Sequence, residues 1–180
     1  MTTSFDITVA NGEASFRCAG DDTILRAGLR AGFGLAYECN TGACGSCKVD
    51  LLEGEVHDLF PEATGLRQKE RDRGKRLACQ CVPLSSCRIK MHTGAQYVSA
   101  IRPARLAVRF VERRQITPDI AVLTFGSEQP AAFIPGQYAM LSLGAPRMTR
   151  AYSMSNTPND EGLWEFIVRE VPGEIGRAHV

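Results

Sequence analysis

Cys39, Cys44 and Cys47 stand at Cys-x4-Cys-x2-Cys spacing in a loop otherwise built from small residues, among them Gly42, Ala43, Gly45 and Ser46. No other feature of the chain restricts its fold as strongly. This is the thiolate spacing of a [2Fe-2S] cluster, which still needs a fourth cysteine from a distant segment. Such a cluster also needs a main chain that wraps closely and turns N–H groups toward sulfur, and small side chains allow that approach. Zinc sites usually carry paired Cys-x2-Cys knuckles, and here Cys44 and Cys47 form the single such pair. The fourth thiolate has three candidates, Cys79, Cys81 and Cys87. The first two lie two apart on a strand predicted over 77–82 and so share a face, and spacing alone does not choose between them. Cys18 alternates with Ala14 and Phe16 and reads as a buried structural thiol.

The flanking pattern is mixed. Phe5, Ile7 and Val9 alternate with polar residues, Asn11-Gly12 supplies a turn, and Ala14, Phe16 and Cys18 alternate again, which predicts a β-hairpin. Asp21 or Asp22 is positioned to cap a helix carrying Leu25 and Leu29, with Gly32 and Gly34 available to end it. Strands are predicted over 49–56, 77–82 and 88–91. Residues 1–93 therefore form an α+β domain, 94–104 a linker, and 105–180 a second domain read as strands alone, over 106–110, 120–125, 138–143 and 163–171. Thr117-Pro118-Asp119 and Pro135-Gly136 punctuate them, as in an antiparallel sandwich or barrel.

Composition narrows the function. Lys and Arg number 21 against 20 Asp and Glu, a net charge of +1, which gives no broad footprint for nucleic acid. The local exception, Arg67 to Arg76, interleaves Glu70 and Asp72 and reads as a solvated helix face, with a docking patch for an acidic redox partner as the alternative. No stretch approaches the roughly 20 apolar residues of a membrane helix, and Met1 to Asp6 lack the character of a secretory signal. The expectation is a cytoplasmic protein, where seven cysteines remain thiols or bind metal. His57, His92 and His179 show no catalytic pattern.

Tyr37-Glu38-Cys39-Asn40-x3-Cys44-Gly45-x-Cys47, Leu51-Leu52-Glu53-Gly54-Glu55-Val56 and Leu77-Ala78-Cys79-Gln80-Cys81-x-Pro83-Leu84-Ser85 together resemble the ferredoxin domain of NADH-dependent reductase components of multicomponent aromatic mono- and dioxygenases, the toluene monooxygenase type above all. The resemblance covers residues 5–91 and implies a β-grasp, plant-type [2Fe-2S] ferredoxin domain. In that family the first cysteine of Ala-Cys-Gln-Cys is the fourth ligand, so the implied metal set is Cys39, Cys44, Cys47 and Cys79.

Farther on, Pro135-Gly136-Gln137-Tyr138 followed by Arg150-Ala151-Tyr152-Ser153 is similar to the FAD-binding β-barrel of ferredoxin reductases. The resemblance implies that Arg150 neutralises the FAD pyrophosphate, Tyr152 stacks on the flavin ring and Ser153 reaches flavin N5. Val168-Arg169-Glu170-Val171-Pro172-Gly173 matches the next family segment, which puts Val168 and Arg169 in the flavin site too. The family then expects a helix opening at the flavin phosphates and a whole nicotinamide domain. Residues 174–180 read instead like one frame of a sequencing adapter, so the expectation is a fragment with an incomplete barrel and a non-native tail. The implied activity at full length is transfer of electrons from NADH through FAD and the cluster to an oxygenase component or an intermediate ferredoxin. The alternative is a [2Fe-2S] carrier without flavin or NADH activity.

Overall fold

The computed structural model describes residues 3–10, 12–142 and 149–170. The chain divides into two compact units, Met1–Pro103 and Ala104–Val180.

In the first unit, alternation of apolar residues builds the hairpin of β1 (Ser4–Val9) and β2 (Ala14–Ala19), in which Ile7, Val9, Phe16 and Cys18 are buried. The register pairs Val9 with Ala14, so the reversal occupies residues 10–13. Asn11 lies outside the described residues, and Glu13 supplies a positive φ of 53°. The next element is α1 (Ile24–Arg30), whose cap corrects the expectation: Thr23, not an aspartate, accepts from the N–H of Arg26. Asp22 is instead buried, accepting from the Thr23 N–H at 2.8 Å and pairing with Arg30. Gly32 follows the helix at φ 87°, as expected of a terminator.

Two predicted strands each split in two. Residues 49–56 become β3 (Lys48–Glu53) and β4 (Val56–Asp58). Residues 77–82 become β5 (Lys75–Leu77) and β6 (Cys81–Pro83), separated by a turn over 78–80. Cys79 and Cys81 thus do not share a strand face, because the turn, closed by the Gln80 N–H on the Leu77 carbonyl at 2.8 Å, intervenes. With β7 (Cys87–Met91) the strands form a mixed sheet of order β2-β1-β7-β3-β5, in which β1 and β7 run parallel, while β4 and β6 pair separately. Ile24, Leu25 and Leu29 of α1 join Ile7, Phe16, Leu77 and Ile89 of the strands in one core. The 94–104 segment begins with a backbone bond from Gly94 to Gly34 at 2.9 Å and a 3-10 turn at Ala95–Tyr97.

The basic run does not form one helix face. The helix α2 covers only Gln68–Arg71, and the run continues through a turn into β5. Three of its six cations are held by partners, Arg71 by Asp58 at 2.9 Å, Lys75 by Asp50 at 2.7 Å and Arg76 by the carbonyls of Arg71 and Lys75, while Arg67, Lys69 and Arg73 are exposed.

The second unit contains β8 (Arg109–Gln115), β9 (Ile120–Gly126), β10 (Tyr138–Ser142), β11 (Thr149–Ser153) and β12 (Leu163–Arg169). They make a three-stranded antiparallel sheet β12-β9-β8 and a two-stranded one, β10-β11. Among the described residues these strands do not close into a barrel. The first strand begins at Arg109, not at Leu106, and 102–108 have no regular structure. Ala131, Phe133, Trp164 and Phe166 form the core, with Trp164 Nε1 donating to Ser127 Oγ at 2.9 Å. Residues 171–180, including the expected tail, lie outside the described residues. Among the described residues no helix is long and apolar enough to cross a membrane.

Candidate cluster and flavin sites

The cysteine loop leaves the sheet after Leu35, which bridges to Thr93, and Ala36, whose N–H donates to the His92 carbonyl at 3.0 Å. It re-enters at Cys47, just before β3. Within it the backbone aims at sulfur: the N–H groups of Thr41 and Cys44 each donate to Cys39 Sγ at 3.4 Å, and that of Ser46 to Cys44 Sγ at 3.4 Å. Asn40, buried and at φ 53°, makes the tight bend that starts this wrap, and its Oδ1 accepts from Arg26 Nε at 3.4 Å.

Cys79 reaches the loop from the 78–80 turn. The Ala78 N–H donates to the Cys47 carbonyl at 3.0 Å, and the Ala78 carbonyl accepts from Leu25 at the start of α1, also at 3.0 Å. Both bonds seat the turn against the loop. The Cys44 N–H on Cys39 Sγ ties the first two cysteines together, and the Ala78 N–H on the Cys47 carbonyl ties the turn that carries Cys79 to the third. Cys47 and Cys79 are buried, and Cys44 is exposed.

The thiol chemistry follows from these contacts. Burial opposes ionisation of Cys39, yet hydrogen bonds from Thr41 and Cys44 bring its pKa down to about 6. The bond from Cys79, working against burial, lowers Cys47, and the same bond together with burial raises Cys79. Burial, reinforced by Asp58, pushes Cys81 up to about 12. Its strand pairs Cys81 with Asp58 rather than with the loop.

Backbone packing holds the loop from the other side. The Gly65 N–H donates to the Gly42 carbonyl at 2.9 Å, and a Cβ on Gly45 would sit 2.5 Å from the Gly65 carbonyl oxygen. A [2Fe-2S] cluster fits this donor set: three thiols in a loop whose N–H groups already point at sulfur, and a fourth on a turn hydrogen-bonded to that loop. Among the described residues no group of three or more His, Cys, Asp or Glu is gathered as one metal ion requires.

In the second unit, the sequence motif Arg150-Ala151-Tyr152-Ser153 is strand β11, antiparallel to β10 with Tyr138 opposite Ser153. Strand alternation puts Arg150 and Tyr152 on one face and Ser153 on the other. Tyr152 is half-buried, its ring edge-on to Phe166 at 6.4 Å, and burial raises its hydroxyl pKa despite Arg150 nearby. Val168 packs against the same core as Tyr152. Arg169 stands apart from this group, held by Asp119 through Nε at 2.7 Å on the surface. A cation and an aromatic ring on one strand face fit the diphosphate and ring system of a flavin dinucleotide.

The sequence reading assigned no role to Gln80, Asn40 or Gly65, although Asn40 and Gln80 each stood inside a quoted cysteine motif, Cys39-Asn40 and Cys79-Gln80-Cys81.

The fold and the two sites define an iron–sulfur domain joined to a flavin domain of the ferredoxin reductase class. Residues 7–84 match the family described as 2Fe-2S iron-sulfur cluster binding domain, and residues 107–178 match the oxidoreductase FAD-binding domain. The chain is 42% identical over 163 residues to ferredoxin-NAD(P)(+) reductase CarAd of Metapseudomonas resinovorans, covering 89% of this chain and 50% of that protein. It is 38% identical over 170 residues to the ferredoxin-NAD(+) reductase component of the alkene monooxygenase system of Xanthobacter autotrophicus, covering 93% and 51%. Among solved structures, the ferredoxin reductase in carbazole 1,9a-dioxygenase superposes with a TM-score of 0.92 at 36% identity, over 98% of this chain and 56% of that one. The chain thus joins a 2Fe-2S iron-sulfur cluster binding domain to an oxidoreductase FAD-binding domain, and over most of its length it is similar to ferredoxin-NAD(P)(+) reductases. It spans about half the length of the curated relatives it matches.

Proposed function

We propose that Cys39, Cys44, Cys47 and Cys79 ligate a [2Fe-2S] cluster, and that the full-length protein carries electrons from NADH to an oxygenase component or its intermediate ferredoxin. The observation that carries the reading is a loop whose backbone N–H groups are directed at the sulfurs of Cys39 and Cys44, with the turn bearing Cys79 hydrogen-bonded to it at the Cys47 carbonyl. The four thiolates would hold the two irons of the cluster. When bound, FAD and the cluster supply the conversion of a two-electron donor into single-electron deliveries. The protein's part is placement. Cys47 and Cys79 are buried away from water, while the exposed Cys44 brings the site to the surface where a partner docks. Arg150 would balance the flavin diphosphate charge and Tyr152 would offer its ring, with Val168 packed against the same core; Ser153, on the opposite face of the strand, and Arg169, bonded to Asp119, belong to the proposed flavin segment by sequence. All seven cysteines are free thiols, which supports a reducing, cytoplasmic setting.

The test is iron, acid-labile sulfide and flavin per chain on anaerobically purified protein. About two irons and two sulfides are expected. Zinc in their place would refute the ligand assignment, and iron without flavin would favour the simple carrier.

A further inference from the structure

The four thiols are not served equally. Cys39 and Cys44 receive backbone N–H groups, but at Cys79 the donor is a side chain: Gln80 Nε2 donates to Cys79 Sγ at 3.6 Å. That amide is held in place. The Gln80 N–H bonds the Leu77 carbonyl at 2.8 Å and its carbonyl accepts from Leu59 at 2.8 Å, which clamps the backbone on both sides. The side-chain stem lies against the cluster loop, where a Cβ on Gly42 would be 3.2 Å from Gln80 Cγ and 3.5 Å from Cδ. Gln80 is thus wedged between the fourth thiol and the loop bearing the other three.

We infer that Gln80 is a positioning residue that sets the reduction potential of the centre through its amide hydrogen bond to Cys79. The inference rests on the proposed ligand role of Cys79. Reduction adds negative charge to the sulfurs, and a fixed N–H donor stabilises the more negative state, so hydrogen bonds to sulfur raise the potential. The amide is neutral and already oriented, so it does this without adding a cation at the surface.

The experiment compares the full chain with Gln80→Leu, which removes the donor, and Gln80→Glu, which keeps the shape against Gly42 but replaces the donor with a carboxylate. Gln68→Leu, on α2 where the amide bonds Asp72 at 2.8 Å, is the control. Iron and sulfide are counted first, and the midpoint potential is then read by redox titration of the visible bands. The expected result is full cluster content with a lower midpoint in both Gln80 variants, lowest for Glu, and an unchanged midpoint in the control. A Gln80 variant that keeps its cluster at the wild-type midpoint overturns the inference, as does an equal shift in the control. Wild-type chain without iron and sulfide refutes the ligand reading beneath it, and is seen at the counting step, before any potential is measured.

Discussion

Substituting Gly45 by Ala separates two reasons for the glycine in the cysteine loop. Gly45 has φ 78°, where an L side chain costs about 1–2 kcal/mol. Gly74 has nearly the same φ, 82°, but nothing lies within 4 Å of the Cβ it would acquire, whereas on Gly45 that Cβ meets the Gly65 carbonyl oxygen at 2.5 Å. Ordinary contact begins near 3.4 Å, and the obstacle is backbone, so the two loops must separate. Separation loses the bond from Gly65 N–H to the Gly42 carbonyl, about 0.5–1.5 kcal/mol, and moves the N–H of Ser46 off Cys44 Sγ. Gly74→Ala should therefore lose about 1–2 kcal/mol, with a fall in Tm of about 4–8 °C per kcal/mol for a unit of this size, and retain its iron. Gly45→Ala should fall further by a comparable amount and lose a large part of its iron and visible absorption. Paired thermal melts at one scan rate, with iron analysis, make the comparison. Equal melting points with full iron in both variants would refute the close-approach argument and leave only backbone strain.

Replacing Cys79 by Ser should abolish the visible bands, while Cys18→Ser and Cys81→Ser should keep them; retained bands in Cys79→Ser would move the fourth ligand elsewhere. Asp58→Asn breaks the half-buried pair with Arg71 that joins β4 to α2, and should cost about 1–3 kcal/mol by denaturant titration. Phe166→Ala empties the core of the second unit, where Phe166 is fully buried, and should cost about 3–5 kcal/mol. Asp119 has its pKa held below the usual carboxylate range by Thr117 and by Arg169. A folded pKa below the unfolded one gives stability that is present above the unfolded value and lost as pH falls through the folded one. Acid titration of stability should therefore show a contribution that disappears in that window, and Asp119→Asn should remove it.

The sequence made some features legible because they depend on local pattern. Phe16 and Cys18 had to face inward once the hairpin formed, and they do. The spacing of Cys39, Cys44 and Cys47 required a wrapped loop, and the backbone bonds onto sulfur realise it. Other features depend on contacts between distant segments and left no local trace. Thr23 caps α1 because Asp22 is drawn into the interior by Arg30, eight residues on. The basic run looked like a solvated face, yet Asp50 and Asp58, far back in the chain, take up Lys75 and Arg71. Arg169 lies in a segment that resembles a flavin-site motif, and its surface pairing with Asp119 leaves no trace in the local pattern.

The choice among Cys79, Cys81 and Cys87 shows most directly why periodicity was not enough. All three are buried, so burial does not discriminate. Had 77–82 been one strand, Cys79 and Cys81 would be separated by roughly 6.5 Å along one face, both plausible reaches to the loop. The turn at 78–80 changes the question. It is specified by bonds to Cys47 and Leu25, at opposite ends of the loop's supports, and it points one thiol at Cys47 while the chain resumes as β6 opposite β4. Cys81 then lies opposite Asp58 on paired strands, away from the loop. Cys87 bonds the carbonyls of Ser85 and Glu55, away from the loop. In the proposed ligand set, Cys79 is set apart from Cys81 by the hydrogen bonds that end a strand early, and those bonds join segments that no spacing rule connects.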